Sequence, residues 1–301
     1  MKIGIALPHF GPAASTDAIV MVARKAEALG FASLWVLDRL LWPMHPKSKY
    51  PGNPRGELPR PMQNTWDPLV VLGFAAAHTE KLLLGTSVLV ASYRNPAVVA
   101  KMMATLDLLS RGRLIMGLGV GWSQEEFATV GQSLQQRNEQ ADEFIEVVKG
   151  LWQTDESHFA GKHFSVPHCI FLPKPLQKPH PPIWIGGNSS RALRRVASYG
   201  DAWHPTSRMP ISELTEKMQR IREMAQRLGR RSDQIALSLR WNSFPDVTSR
   251  EGVSVVKEKL REYEAAGVDH ICVDLNIPLP VPVSFMTESM ERLMTEIVPT
   301  I

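Results

Sequence analysis

Cysteine is almost missing from this chain: 301 residues contain two, Cys169 and Cys272. That is too few for a disulfide framework, and no metal-ligand spacing surrounds either one. Such usage predicts a reducing, cytoplasmic compartment. No apolar run reaches the ~20 residues a membrane span requires, so no membrane partner is expected. Charge of one sign is lacking too, since 34 basic residues face 30 acidic ones. The basic clusters Arg191, Arg194, Arg195 and Arg227, Arg230, Arg231 read as solvated helix faces, which argues against nucleic acid as a partner. His158, His163, His168 and His180 lack metal-site spacing, so no metal is expected, and no Ser-His-Asp or Cys-His order stands out. Met1 to Ile5 reads as the start of a strand, so no signal segment is expected.

What the chain does have is a recurring junction. A helix closes on Ala and Gly, an apolar strand follows, and the strand ends on a polar residue. Ala26 to Gly30 leads into Ser33 to Asp38, Arg195 to Gly200 into Asp201 to His204, and Glu264 to Gly267 into His270 to Asp274. Glycine suits the left-handed residue that follows a helix before a tight connection. Eight such strands can be placed, at 2–8, 33–38, 82–90, 113–119, 182–187, 201–205, 235–242 and 270–275. Helices fall between them, with buried stripes predicted at Ile19, Val22, Ala23, Ala26 and Leu29; at Ala141, Phe144, Ile145, Val148, Leu151 and Trp152; and at Leu214, Met218, Ile221, Ala225 and Leu228. Strict alternation predicts an α/β chain with a (β/α)8 TIM barrel over residues 1–301 as one domain, an open doubly wound sheet being the alternative. Two stretches interrupt it. Residues 39–65, rich in proline, are read as a lid over the substrate. Residues 155–181 are a second excursion, with a small hairpin at Phe159 to Phe164.

The densest information lies between Leu82 and Trp122. A strand runs into Arg94-Asn95-Pro96, where Asn95 is a natural N-cap and Pro96 a natural first helical residue. Val98, Met102, Leu106 and Leu109 are the expected buried stripe, and Gly112 the stop. The next strand ends in Gly117-Leu118-Gly119-Val120-Gly121-Trp122, and Ser123-Gln124-Glu125-Glu126 after it reads as a capping box. The glycine run is not a dinucleotide fingerprint, because Trp122 stands near where the third glycine would be and no early βα turn carries the motif. Either a flat ring lies against these glycines, or they serve tight strand packing inside a barrel. Downstream, Ile185-Gly186-Gly187-Asn188-Ser189 joins a strand to a helix start, where free N–H groups suit an anion.

Taken together, these segments resemble the luciferase-like flavin and deazaflavin oxidoreductase superfamily. The resemblance rests on Trp66-Asp67-Pro68, Gly85-Thr86-Ser87-Val88, Arg94-Asn95-Pro96, Leu106-Asp107, Leu109 to Arg113, Gly117 to Trp122, Pro181 to Ser189 and Asp201-Ala202-Trp203. It implies an oxidoreductase using coenzyme F420, with FMN and a monooxygenase activity as the alternative. It also implies a homodimer and a small-molecule substrate. A barrel that merely binds a phosphorylated ligand through the Gly186-Gly187 turn is the reading from another class.

The resemblance further implies a cis peptide at Ser87–Val88 backing the ring. The cofactor-binding set is then Asp38, Thr86, Ser87, Val88, Val90, Gly119, Val120, Gly121, Gly186, Gly187, Asn188 and Ser189. Phe10, Trp42, Trp122 and Trp203 are expected to build an aromatic pocket. Asp38 is a candidate catalytic group, but here Arg39 and Trp122 stand where relatives carry a His and a Glu, so that acid–base pair is missing. His9 and His204, each following a strand, are the remaining titratable candidates. Arg39, a permanent cation, is expected to polarise a carbonyl or to anchor an anionic group.

Overall fold

The structure, a computed structural model, describes residues 1–53, 55–276 and 281–301. Pro54, within the expected lid, lies outside the described residues. The strands are β1 (Lys2–Ala6), β2 (Ser33–Val36), β3 (Leu83–Thr86), β4 (Leu89–Val90) and β5 (Leu114–Gly119), then, beyond the hairpin pair β6 (Glu156–Ala160) and β7 (Ser165–Ile170), β8 (Ile183–Ile185), β9 (Ala202–Trp203), β10 (Ala236–Trp241) and β11 (His270–Val273). Around them lie α1 (Thr16–Ala28), α2 (Pro68–Ala76), α3 (Pro96–Leu109), α4 (Gln124–Thr129), α5 (Arg137–Gln153), α6 (Ser190–Tyr199), α7 (Ile211–Arg227), α8 (Arg250–Ala265) and α9 (Val283–Arg292).

All neighbouring barrel strands are parallel. The order β1-β2-β3-β5-β8-β9-β10-β11 closes where Lys2 to Ile5 pair with His270 to Val273. Because β4 continues β3, this is a closed eight-stranded (β/α)8 barrel. The predicted strand at 82–90 is thus interrupted at Ser87 and Val88, whose peptide bond is cis. The excursion forms the expected hairpin, β6 antiparallel to β7.

Three predicted features hold and one shifts. Asn95 caps α3 by accepting from Ala97 N–H at 2.9 Å, and Ser123 caps α4. The α5 stripe is buried at every predicted position. On α3, however, Val98 and Leu109 are 55% and 71% exposed and Met102 also faces outward, while Val99, Ala100, Met103 and Leu106 are buried. This helix is apolar nearly all round, so periodicity alone left its inward face undetermined. The exposed residues extend, with Val70 and Phe74 of α2, into an outward apolar face.

The glycines of β5 have a packing role. A Cβ on Gly117 would run into the Thr86 carbonyl, one on Gly119 into Val88, and one on Gly121 into Val90 Cγ1 at 2.7 Å. Residues 86, 88 and 90 therefore sit against 117, 119 and 121, alternate residue on alternate glycine. Tight packing against the neighbouring strand is thus one role of these glycines, and Gly119 and Gly121 also line the cavity described below.

Inside the barrel, Trp35 lies over Gly4 and Gly85, with Trp184, His204 and His270 packed around it. Gly117→Ala should destabilise the fold by about 3 kcal/mol or more, since backbone cannot yield as a side chain can. Gly150→Ala in α5 meets nothing within 4 Å and should stabilise by up to about 1 kcal/mol. Urea unfolding of the two variants checks both values; a neutral Gly117→Ala would contradict the packing account.

Candidate active site

The C-terminal ends of the strands open into a cavity of about 500 Å³. Its walls include Asp38, Arg39, Ser87, Val88, Val90, Gly119, Val120, Gly121, Trp122, Gly186, Gly187, Asn188 and His204, all predicted site residues. Others turn away from it. Thr86 is buried and its hydroxyl donates to the Gly117 carbonyl at 2.7 Å. Ser189 caps α6 by accepting from Ala192 N–H. Phe10 packs with Leu37 and Met62, with Trp42 against that cluster, behind the cavity wall. Trp203 is fully buried; its indole N–H donates to the Gly187 carbonyl at 2.7 Å, so it shapes the turn and contributes no cavity surface.

Asp38 is fully committed within the protein. Its two oxygens accept from Arg94 Nη1 at 2.6 Å, Arg94 Nη2 at 3.1 Å and Val90 N–H at 3.0 Å. Arg94 also reaches Asp67, the N-cap of α2. Burial opposes the charge on Arg94, but these two carboxylates hold the guanidinium cationic. Asp38 thus ties β2 to β4 and to the start of α2, and its ion pair with Arg94 makes it a poor general base.

His9 is likewise structural. Nδ1 lies 3.0 Å from the Leu7 carbonyl, and Nε2 accepts from Leu37 N–H at 3.0 Å, pinning the ends of β1 and β2 together. Both corrections have one cause: a polar residue at a strand end looks alike in sequence whether it faces the cavity or the backbone beside it.

His204 does face the cavity. Its Nε2 pairs with Ser87 Oγ at 2.8 Å and its Nδ1 with Ser238 Oγ at 2.9 Å, with its ring stacked on Trp35. Burial, followed by the nearby His270 and Arg240, pushes its pKa down to about 3. His204 is therefore a neutral imidazole at physiological pH and no cationic proton donor.

The sequence reading missed Arg240, Asp274, Asn242, Tyr50 and Arg208. Arg240 is half-buried beside the buried Asp274; Nε is 3.1 Å from Asp274 Oδ2, and Nη1 donates to the Ser87 carbonyl. Burial works against the Arg240 charge, and Asp274 offsets it and holds the cation. This pair fixes the Ser87 carbonyl at the cavity floor. Asn242 ends β10 with its Oδ1 buried and unpartnered among the described residues. Polar residues closing an apolar strand, Arg240-Trp241-Asn242, were the available signal.

The lid is fastened by two adjacent carboxylates of α4. Glu126 Oε1 accepts from Leu40 and Leu41 N–H, and Glu125 Oε1 from Lys47 and Ser48 N–H. Partial burial raises the Glu125 pKa, but hydrogen bonds from its own N–H, Lys47, Ser48 and the Ser123 hydroxyl outweigh it and bring it to about 2. Tyr50 of the lid meets the Trp122 ring edge-on, centroids 5.3 Å apart.

The shape and lining of the cavity suit a flat phosphorylated cofactor. Gly187 has φ +93° and Gly186 a Cβ position only 3.0 Å from Val88 Cγ1, so the turn at 186–188 presents bare backbone at the N-terminus of α6. Val88 and Val90 supply an apolar floor, and Asn242 Oδ1 an unmet acceptor. The residues fit such a group, which Ser87 to Val90, Gly119 to Gly121 and Gly186 to Asn188 would hold.

A match to the luciferase-like monooxygenase family spans residues 1–270, and the chain belongs to that family. Among its relatives, an uncharacterised protein of Mycobacterium tuberculosis is 32% identical over 83% of this chain and 84% of its own length. The FMNH2-dependent dimethylsulfone monooxygenase of Pseudomonas putida is 35% identical over 50% of this chain and 41% of its own. The F420-dependent glucose-6-phosphate dehydrogenase of Amycolatopsis mediterranei is 29% identical over 72% and 61%. The fold matches that of the monooxygenase RslO1 from Streptomyces bottropensis with TM-score 0.82 at 19% identity, covering 100% of this chain and 99% of that one. An F420-dependent secondary alcohol dehydrogenase gives TM-score 0.78 at 18% identity over 99% and 98%. The family contains both F420- and FMN-dependent enzymes, and an oxidoreductase or monooxygenase is what this chain's membership supports.

His204 and His270, both lowered to about 3 by burial first, make stability depend on pH. The unfolded chain takes up these protons near the ordinary value of about 6.5, whereas the folded one does so only near 3. Stability is therefore intact above that ordinary value and falls as the pH drops from there toward the folded values. Each ring should steepen the loss toward about 1.4 kcal/mol per pH unit. Urea titrations from about pH 7.5 to about pH 5 lie above the ordinary carboxylate range, and His9 and His180, also lowered by burial, add to the same slope. His270→Asn should flatten the profile; an unchanged slope would show that the ring is protonated in the fold.

Proposed function

We propose that this chain is a coenzyme F420-dependent oxidoreductase that transfers a hydride between the cofactor and a small organic substrate, working as a reductase. The observation that carries the reading is the cavity itself: an apolar floor at Val88 and Val90 leading to the bare Gly186-Gly187-Asn188 turn. The preference for F420 over FMN is supported by the residue match at Gly85-Thr86-Ser87-Val88. It is supported too by the larger share of the chain that aligns with an F420-dependent relative than with an FMNH2-dependent one. When bound, the deazaflavin would supply two-electron hydride chemistry at C5, where carbon in place of flavin N5 disfavours one-electron and oxygen chemistry.

The chain's own residues position and shelter. The turn at 186–188 holds the phosphate, Ser87 to Val90 support the ring, and the lid with Tyr50 and Trp122 excludes water. Asp38 is ion-paired to Arg94, His9 is bonded to backbone, and His204 is paired at both ring nitrogens with its proton affinity lowered by burial. No strong side-chain base is therefore poised for alcohol oxidation, which favours reduction with a proton drawn from water. Tyr50, whose pKa burial raises, keeps its phenolic proton.

Equilibrium dialysis against each cofactor tests the proposal. Deazaflavin should bind at least about tenfold more tightly than FMN, about 1.4 kcal/mol. Tighter FMN binding, with oxygen uptake on adding reduced FMN, would establish the monooxygenase reading instead.

The outward apolar face on α2 and α3 supports a second copy of the chain as partner, consistent with a homodimer. Met102→Glu with Leu109→Glu should convert the sedimenting species to monomer in analytical ultracentrifugation. A wild-type chain that sediments as monomer at micromolar concentration would rule the dimer out.

A further inference from the structure

The least satisfied polar group in the cavity wall is Arg39. The residue is 7% exposed, and its guanidinium lies 4.7 Å from the centroid of the Trp122 ring. Nη2 donates to the Leu41 carbonyl at 3.2 Å, and Nε stands 3.2 Å from Glu126 Oε1 without well-aligned hydrogen-bond geometry. Nη1 is buried with no partner among the described residues. A buried donor left without a partner is unfavourable, and a ligand acceptor at Nη1 would relieve it.

Charge decides which acceptor. Glu126 is fully buried, with one oxygen engaged by Leu40 and Leu41 N–H and the other accepting from the Tyr93 hydroxyl at 2.6 Å. Its anion already balances the Arg39 cation. The other ionic groups around the cavity are also matched: Asp38 by Arg94, Arg240 by Asp274, and Glu213 by Lys217. Among the described residues the exception is Arg208, exposed and lining the cavity with the Gly186-Gly187 turn. The cavity thus has a cationic rim residue suited to a phosphate and, beside the lid, a cation already balanced. A carboxylate set against Nη1 would put two anions on one buried cation, and an uncompensated buried charge is strongly destabilising. A carbonyl oxygen takes the same hydrogen bond and adds no charge.

We propose that Arg39 is the substrate-recognition residue and that it takes an uncharged carbonyl compound, not a carboxylate. This rests on the oxidoreductase reading of the cavity. Leu37 and Met62 complete an apolar wall, so the occupant is a compact, uncharged carbonyl compound with an apolar body.

Two probes matched in ring size, 2-cyclohexenone and cyclohex-1-ene-1-carboxylate, test this by calorimetric titration at neutral pH. The protein is first saturated with whichever of deazaflavin and FMN it binds, or used alone if it binds neither. Loss of the F420 assignment therefore shows in the cofactor titration, and the probe comparison is still made. In the wild-type protein the ketone should bind at least about tenfold more tightly than the carboxylate. Arg39→Met should weaken ketone binding at least about tenfold while leaving cofactor affinity within about twofold. Arg39→Lys, which keeps the charge and loses the planar fork, should weaken it as well. Equal or tighter carboxylate binding, or no saturable ketone binding at millimolar concentration, overturns the proposal without recourse to any variant. A folded Arg39→Met that keeps its ketone affinity overturns it too, and one that loses cofactor affinity in parallel assigns Arg39 to the cofactor.

Discussion

The close approach of residues 86–90 to β5 is the constraint from which the rest of the site follows. Thr86, Val88 and Val90 each press against a position where any Cβ would collide, so three glycines alternate along the facing strand. That interlock sets the height of Val88 and Val90 in the cavity floor, and Gly186 accepts the other side of Val88. Arg240, neutralised by Asp274, then holds the Ser87 carbonyl from below. Asp38 fastens Val90 from the side through its backbone N–H. The floor is rigid because each residue in it is fixed by a neighbour outside it.

The barrel interior is more polar than its apolar strands suggest. Ser33, Ser238, His204 and His270 occupy it around Trp35, and each has a partner: Ser33 Oγ with His270 Nε2 at 2.7 Å, Ser238 Oγ with His204 Nδ1. A neutral imidazole can be buried among indoles when its ring nitrogens are met, as both are in His204 and Nε2 is in His270. The arrangement stacks a layer of flat rings beneath the cavity, which blocks solvent from entering through the barrel floor.

Much of this was legible in the sequence, and the failures share a form. Strand positions were readable because each apolar run ends at a glycine or a polar residue, and the helix caps at Asn95 and Ser123 because capping is local. The Leu109 to Arg113 motif also turned out to be structural: Arg113 donates to the carbonyls of Ala76, Thr79 and Leu82, closing the bottom of the barrel. What escaped depended on neighbours across the barrel. Arg240 pairs with Asp274 one strand away and 34 residues later, a relation no local spacing encodes. His9 and Asp38 were placed at the correct end of the correct strands, but their partners are backbone groups or a distant arginine, so their availability for chemistry was not readable. On α3, Val98 and Val99 are equally apolar, and only the packed barrel distinguishes them.

The lid is held to α4 almost wholly through its own backbone. Glu125 and Glu126 receive main-chain N–H groups of Leu40, Leu41, Lys47 and Ser48, and a main-chain N–H is nearly the same whichever residue carries it, proline excepted. The anchoring is therefore indifferent to most of the lid's side chains. Those side chains are free to diversify, so a change of substrate can evolve by replacing residues in the cover while the hinge points and the barrel beneath stay as they are.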